Sequence, residues 1–365
     1  MSKSLGNSPD PLDVIATYGT DALRFTVLFL APTGQDVLYD NDKVEIGRNF
    51  ANKIWNAGRF LMMNRDQLPI DNSQMTIVSR KDSSELSDRW IISRFNSTVK
   101  DVTSAMDNMR VNDAVKLLYE FLWKDFCDWY VELVKQRMQE SSDVHLKRTI
   151  INRALKIYEE TLKLLHPFMP FVTEEIYQHL EERKTDETIM LSMMPQISQA
   201  NSQIDLESEK QMEFLQGVIS EVRTIRSEMN IPPSKSIDFV ASCHDYDKLS
   251  LLEEQKPALQ KFLRLENITL GMAIPKPGYS ASVVVKGQEI FIPLKGLIDL
   301  DVEREKLQKE IDRLEGQLKG VLSKLNNDNF VKKAAAGIIE KEKSKQQNFE
   351  QTIKKLKINL EQLVG

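Results

Sequence analysis

The sequence predicts a mainly α protein, in which a helix bundle is followed by a small α+β module and a C-terminal antiparallel coiled-coil hairpin. Three observations carry this. Long amphipathic patterns fill residues 42 to 182, four short β-rich runs cluster between 236 and 294, and two heptad seams follow residue 300.

Residues 1–41 read as a loop and two short helices, the first set up by Pro9 and Pro11, the second restarted at Thr20/Asp21 after a glycine stop. They are too few to form a core alone. The bundle is expected over 42–195, its helices separated by Pro69, the polar stretch 71–87, Ser141–Asp143 and the "HPFMP" corner at 166–170. One helix carries Tyr119, Trp123, Phe126 and Tyr130 at spacings of 4, 3 and 4, which reads as an aromatic stripe in the bundle core. A polar linker at about 195–207 leads to a module over 207–299. Its first helix stops before Pro232 and Pro233; "SIDFVAS", "NITLG", "SASVVVK" and "EIFIPL" are strands, with one helix near 246–263 and a hairpin turn at 286–288.

The last segment, 300–365, has the most regular periodicity. Leu300, Leu307, Ile311, Leu314, Leu318, Val321 and Leu325 form one seam; Ile339, Phe349, Ile353, Leu356, Leu360 and Leu363 form another, interrupted by Glu342 and Gln346. Two equal arms around "NNDNFVKKAAAG" predict a hairpin folded on itself and a monomer, in preference to a dimerisation coil.

With 41% hydrophobic and 28% charged residues the chain reads as soluble and globular. It has no apolar run of membrane-spanning length and no signal or transit pattern, which points to the cytoplasm and away from a membrane. Cys127 and Cys243 stand far apart, so neither a disulfide framework nor a Cys-x-x-Cys zinc site is expected, and no metal site is assigned. The net charge is −5, yet residues 301–365 hold 14 Lys+Arg against 11 Asp+Glu, so an anionic partner is permitted at that end.

Four groups of residues suit chemistry with phosphates or bases. Ser2, Lys3 and Ser4, with Gly6, have the make-up of a mobile loop that brings a lysine onto nucleotide phosphates. On the helix from about 42 to 63, Arg48, Asn49, Asn52, Lys53, Asn56 and Arg59 share a face without a carboxylate, roughly opposite Ile46, Phe50, Ile54 and Leu61. Asparagines are poor helix formers, so three together imply specific hydrogen bonding, either to unstacked RNA bases or between neighbouring helices. Arg223 and Arg226 occupy one helix face and suit RNA or surface ion pairs. Lys319, Lys324, Lys332 and Lys333, near or at the hairpin tip, suit phosphates or serve solubility.

The opening run "MSKSLGNSPDPLDVIATYGTDALRF" resembles the K-M-S-K-S signature loop and following helices of class I aminoacyl-tRNA synthetases. "GRNFANKIWNAGRF", "LYEFLWKDFCDWYVELVK", "LLHPFMPFVTEEIYQ", "IRSEMNIPPSKSI" and "GLIDLDVEREKLQKEI" extend the resemblance, in order, to the valyl family. The terminal heptads separate it from the isoleucyl and leucyl families. The H-I-G-H loop, the nucleotide-binding sheet and the editing domain of the family have no counterpart; His145, His166, His179 and His244 form no H-x-G-H. The resemblance implies a piece of a valine–tRNA ligase. Its bundle would bind the anticodon, its hairpin the tRNA corner, and Lys3, flanked by Ser2 and Ser4, the ATP phosphates. It further implies ATP and Mg in the full enzyme, none bound to this piece and no adenylation by it alone, with valine tRNA and the remaining catalytic and editing domains as partners. The competing readings are a non-catalytic protein-interaction adaptor with a helix bundle and coiled coil, and an isoleucyl or leucyl homologue, which only the C-terminus disfavours.

Overall fold

The computed structural model describes residues 10–31, 34, 40–69, 85–184, 186–196, 204–297, 300–326 and 336–362. The chain divides into two compact units, Met1–Met212 and Glu213–Gly365. Among the described residues, no helix is long and apolar enough to cross a membrane.

Among its described residues the first unit has helices and no strand: α1 (Pro11–Tyr18), α2 (Thr20–Leu30), α3 (Asn41–Asp66), α4 (Leu86–Asp107), α5 (Val111–Glu120), a π-helical segment (Phe121–Tyr130), α6 (Val131–Glu140), α7 (Val144–Leu165) and α8 (Pro170–Leu180). Local chemistry sets the ends. Asp10 caps α1, accepting from the Leu12 N–H at 2.9 Å ahead of Pro11, and Gly19, at φ 97°, makes the corner into α2. Asp21 does not cap its own helix. It is buried, and its carboxylate reaches α8, accepting from the N–H groups of Phe171 (3.4 Å) and Val172 (2.7 Å), donors that Met169 at the helix start leaves open. Burial raises the Asp21 pKa against these bonds.

α2 crosses α3 at Gly47, where a Cβ would lie 2.3 Å from the Ala22 carbonyl oxygen. The crossing therefore needs a residue without a side chain. Phe25, Phe50, Leu118, Phe121, Phe126, Tyr130 and Tyr158 are fully buried around the centre of the unit. The aromatic stripe is core at Phe126 and Tyr130, while Tyr119 and Trp123 are half-buried and close a ring cluster with Phe25, Phe29 and Phe50.

The core also holds a charge. Asp88, fully buried on α4, accepts from Arg137 Nη1 (2.8 Å) and Nη2 (3.1 Å), from the Tyr130 hydroxyl (2.9 Å) and from Arg153. One carboxylate thus ties α4, the π-helical segment, α6 and α7. Burial opposes its ionisation, and the two guanidiniums with the tyrosine overcome this and hold its pKa below the ordinary value.

α9 (Leu206–Glu228) spans the division between the units. The second unit has β1 (Ile237–Cys243), α10 (Tyr246–Glu254), α11 (Lys256–Leu263), β2 (Leu265–Met272), β3 (Ser280–Val285), β4 (Gln288–Pro293), α12 (Leu300–Leu325) and α13 (Ala336–Gln362). The expected single helix at 246–263 is two, broken at Gln255, because Pro257 lacks the N–H an uninterrupted helix would use. The sheet order is β2-β1-β4-β3. β1 and β2 run parallel through the α10–α11 crossover, and β3 and β4 form a hairpin whose turn residues Lys286 and Gly287 have φ 45° and 82°.

α12 and α13 pack antiparallel. Leu307, Ile311, Leu314, Val321 and Ile353 are buried between them, and Lys357–Glu315 (2.7 Å) and Lys324–Glu342 (3.6 Å) pair across the seam. Glu342, a polar member of the heptad pattern, is buried and also pairs with Lys345 at 2.6 Å. The pairing of Lys324 on α12 with the buried Glu342 on α13 favours this alignment over shifted ones.

Candidate nucleic-acid interface

α3 presents the clearest polar surface of the first unit. It begins with Asp40 accepting from the Asp42 N–H and runs for 26 residues. Phe50, Ile54 and Leu61 are fully buried and Ala57 nearly so, which turns Asn49, Asn52, Asn56 and Arg59 outward, all exposed. Asn52, Asn56 and Arg59 have no side-chain partner among the described residues, so the asparagines do not bridge helices.

The expected absence of carboxylates needs correction at both ends of the face. Arg48 pairs with Glu45 one turn earlier at 3.2 Å and lies 5.6 Å from the Tyr18 ring centroid. Lys53 donates to Asp128 at 2.5 Å and sits 4.7 Å from the Trp123 ring centroid. Asp128 comes from the π-helical segment, 75 residues away, which no reading of α3 alone reveals. Both pairs are surface pairs, so neither cation is removed from solution.

Trp55 belongs to the same stripe and went unnoticed in the sequence. It is 39% exposed, one turn from both Asn52 and Arg59 along the helix, with its ring edge-on to His179 at 6.4 Å between centroids. The signal in the sequence is its spacing, three residues after Asn52 and four before Arg59, which puts it on their side of the helix. Past Arg59 the surface dips into a cleft of about 430 Å3 lined by Phe60, Asn64, Met138, Lys135 and Lys147. The Lys135 ammonium lies 5.0 Å from the Phe60 ring centroid. An aromatic ring, amides and cations are the groups that hold a splayed base and its phosphate.

In the second unit, Arg223 is exposed, with its guanidinium 5.9 Å from the Phe262 ring centroid. Arg226 departs from expectation. It is 7% exposed and donates to the carbonyls of Leu263 (2.9 Å), Pro232 (2.8 Å) and Lys235 (2.5 Å), so its donors brace the module rather than lie open on the surface. Lys319 and Lys324 are exposed on α12, Lys324 paired with Glu342. Ser2, Lys3, Ser4, Lys332 and Lys333 lie outside the described residues.

Comparisons with known proteins divide the chain in the same order. Residues 1–40 match the family described as tRNA synthetases class I (I, L, M and V), residues 88–241 the anticodon-binding domain of tRNA ligase, and residues 299–364 the valyl tRNA synthetase tRNA binding arm. Valine–tRNA ligase of Fusobacterium nucleatum is 41% identical over 99% of the chain and 40% of its own length. That of Chlorobaculum tepidum is 38% identical over 100% of the chain and 40% of its own length, and that of Bacillus subtilis 38% identical over 96% and 38%. The chain therefore spans about two fifths of the curated relatives it matches. With end-to-end identity at this level and an arm of the valyl type, the chain belongs to the valyl-tRNA synthetase family of class I aminoacyl-tRNA synthetases.

Proposed function

We propose that this chain is the tRNA-recognition part of a valine–tRNA ligase, and that α3 is where its bundle meets the anticodon loop. The observation that supports this most is the exposed stripe of Asn49, Asn52, Trp55, Asn56 and Arg59 beside the Phe60 cleft. Amides offer paired donors and acceptors to Watson–Crick edges, Trp55 offers a stacking face, and the cleft is large enough for one unstacked base. Arg48, Lys53 and Arg59 supply charge for the loop phosphates. Lys319 and Lys324, with Lys332 and Lys333, do so for the tRNA corner, while Arg223 contacts the backbone between the two.

The whole ligase would join valine to its tRNA at the expense of ATP with Mg, in the cytoplasm, with Ser2, Lys3 and Ser4 toward the ATP phosphates. The remaining catalytic and editing parts of that ligase are the chain's other partners. The chain acts as a monomer, since α12 and α13 bury their seams against each other, and it does not adenylate valine alone. Binding of the chain to valine tRNA, to an anticodon-substituted copy and to a non-cognate tRNA tests the reading. Cognate preference that Asn52→Ala/Asn56→Ala abolishes supports it. Equal, weak binding to all three, unchanged by the substitutions, refutes it and turns attention to a protein partner.

A further inference from the structure

The second unit contains three arginines with no counter-charge. Arg223, Arg226 and Arg264 make no ion pair with any described carboxylate. They are neighbours. Arg226 lies one turn after Arg223 on α9, its Nη1 donates to the carbonyl of Leu263, the residue before Arg264, and the Arg223 guanidinium lies 5.9 Å from the Phe262 ring centroid, two residues from Arg264. Burial, and then the like charge of Arg264, depress the Arg226 pKa, as expected of cations gathered without an anion.

Arg264 is also held in an unusual backbone state. It closes α11 at φ 53°, ψ 56°, the left-handed region in which glycine is the ordinary choice, and its side chain is exposed with no described partner. Its N–H donates to the Gln260 carbonyl and its carbonyl accepts from the Ile237 N–H at 3.2 Å, so the backbone is fixed from both sides. A long charged side chain at a position where glycine would be less strained directs attention to what the exposed guanidinium can bind.

We propose that Arg223 and Arg264 form a clamp for a backbone phosphate of a folded RNA, with Arg226 as the positioning residue that sets their spacing. Each guanidinium is a planar fork of the kind that holds phosphate oxygens, one carried by α9 and one by the end of α11. Arg226 binds three carbonyls from the 232–235 turn and the end of α11, so it locks the two elements that carry the clamp. A phosphate contact of this kind fixes the register of the RNA without reading sequence. It is therefore distinct from the α3 face, although it rests on the reading of the chain as a tRNA binder.

The test is a titration of the full chain with valine tRNA and its anticodon-substituted copy, between about 50 and 200 mM salt. Arg223→Gln and Arg264→Gln should each weaken both tRNAs by the same factor, several-fold, and the double variant, which loses the one clamped phosphate, should flatten the log–log salt slope by about 0.7 to 0.9. Arg264→Gly keeps or raises the melting temperature while losing the same affinity, which separates the clamp from a folding role. Parent-like affinity and slope in the glutamine variants overturn the clamp and leave the anticodon reading standing. Failure of the parent chain to bind any tRNA removes both. Tight binding of poly-glutamate, lost in the same variants, would assign the cluster to an acidic protein and overturn the RNA clamp.

Discussion

Asp88→Asn should cost the first unit about 3–5 kcal/mol, the usual penalty for breaking a buried ion pair from one side. The substitution keeps the shape and one acceptor oxygen. What it removes is the charge that Arg137 and Arg153 face, whose side chains are 18% and 5% exposed, so two cations remain in the core without their anion. Urea unfolding followed by circular dichroism should show the midpoint of this unit falling by about 1–2 M. Removing the more buried cation as well, in Asp88→Asn/Arg153→Met, should recover at least about 1 kcal/mol in the double-mutant cycle. The pH dependence has a definite sign. A carboxyl whose folded pKa is depressed contributes stability above its unfolded value, about 3.9, and loses that contribution as pH falls through the folded value. The parent should therefore lose stability in acid more steeply than Asp88→Asn. A loss below about 1 kcal/mol, strict additivity in the cycle, or parallel acid curves would refute the network as a determinant of the bundle.

Other outcomes can be checked with simple measurements. Gly47→Ala places a methyl against the Ala22 carbonyl and Thr26, so α2 must shift; a loss of about 1–3 kcal/mol is expected by thermal melting. Burial pushes the Cys127 thiol up to about 12 and raises that of the buried Cys243, so in the folded chain both should react with an aromatic disulfide reagent only as fast as it opens, and at once when denatured. Lys319→Gln should weaken tRNA binding more than Lys324→Gln, because Lys324 already shares its charge with Glu342; the reverse order in a filter-binding assay would remove the arm assignment.

Periodicity made the bundle, the strands and the heptads legible, because burying one face of each element imposes a repeat that residues 50, 54, 57 and 61 display openly. What escaped was contact between segments distant in sequence. A spacing of 4, 3 and 4 fits an ordinary helix, and nothing in it announces the wider π turn that aims Asp125 at Arg94 (2.8 Å) and Asp128 at Lys53. Arg223 and Arg226 look alike in the sequence. They part because Arg226 faces three carbonyls of a Pro-rich turn and a helix end, groups whose convergence depends on the tertiary fold. Trp55 was passed over for the opposite reason, since an apolar ring beside buried Ile54 is ordinarily assigned to the core.

The bond from Asp21 to the start of α8 spans 151 residues of chain. On a ribosome adding about 5–20 residues per second, α2 waits about 8 to 30 s before the helix end it caps exists. During that wait Asp21 has no burial to share, and Phe25 on the same helix lacks the Tyr119 ring that later covers it. α2 has α3 to pack against early, through Gly47 and Phe50, but the Asp21 carboxylate and the Tyr119 side of Phe25 gain their partners only as the later helices arrive. Chaperones that bind exposed aromatic segments would find their target in this interval, at residues the finished fold hides completely.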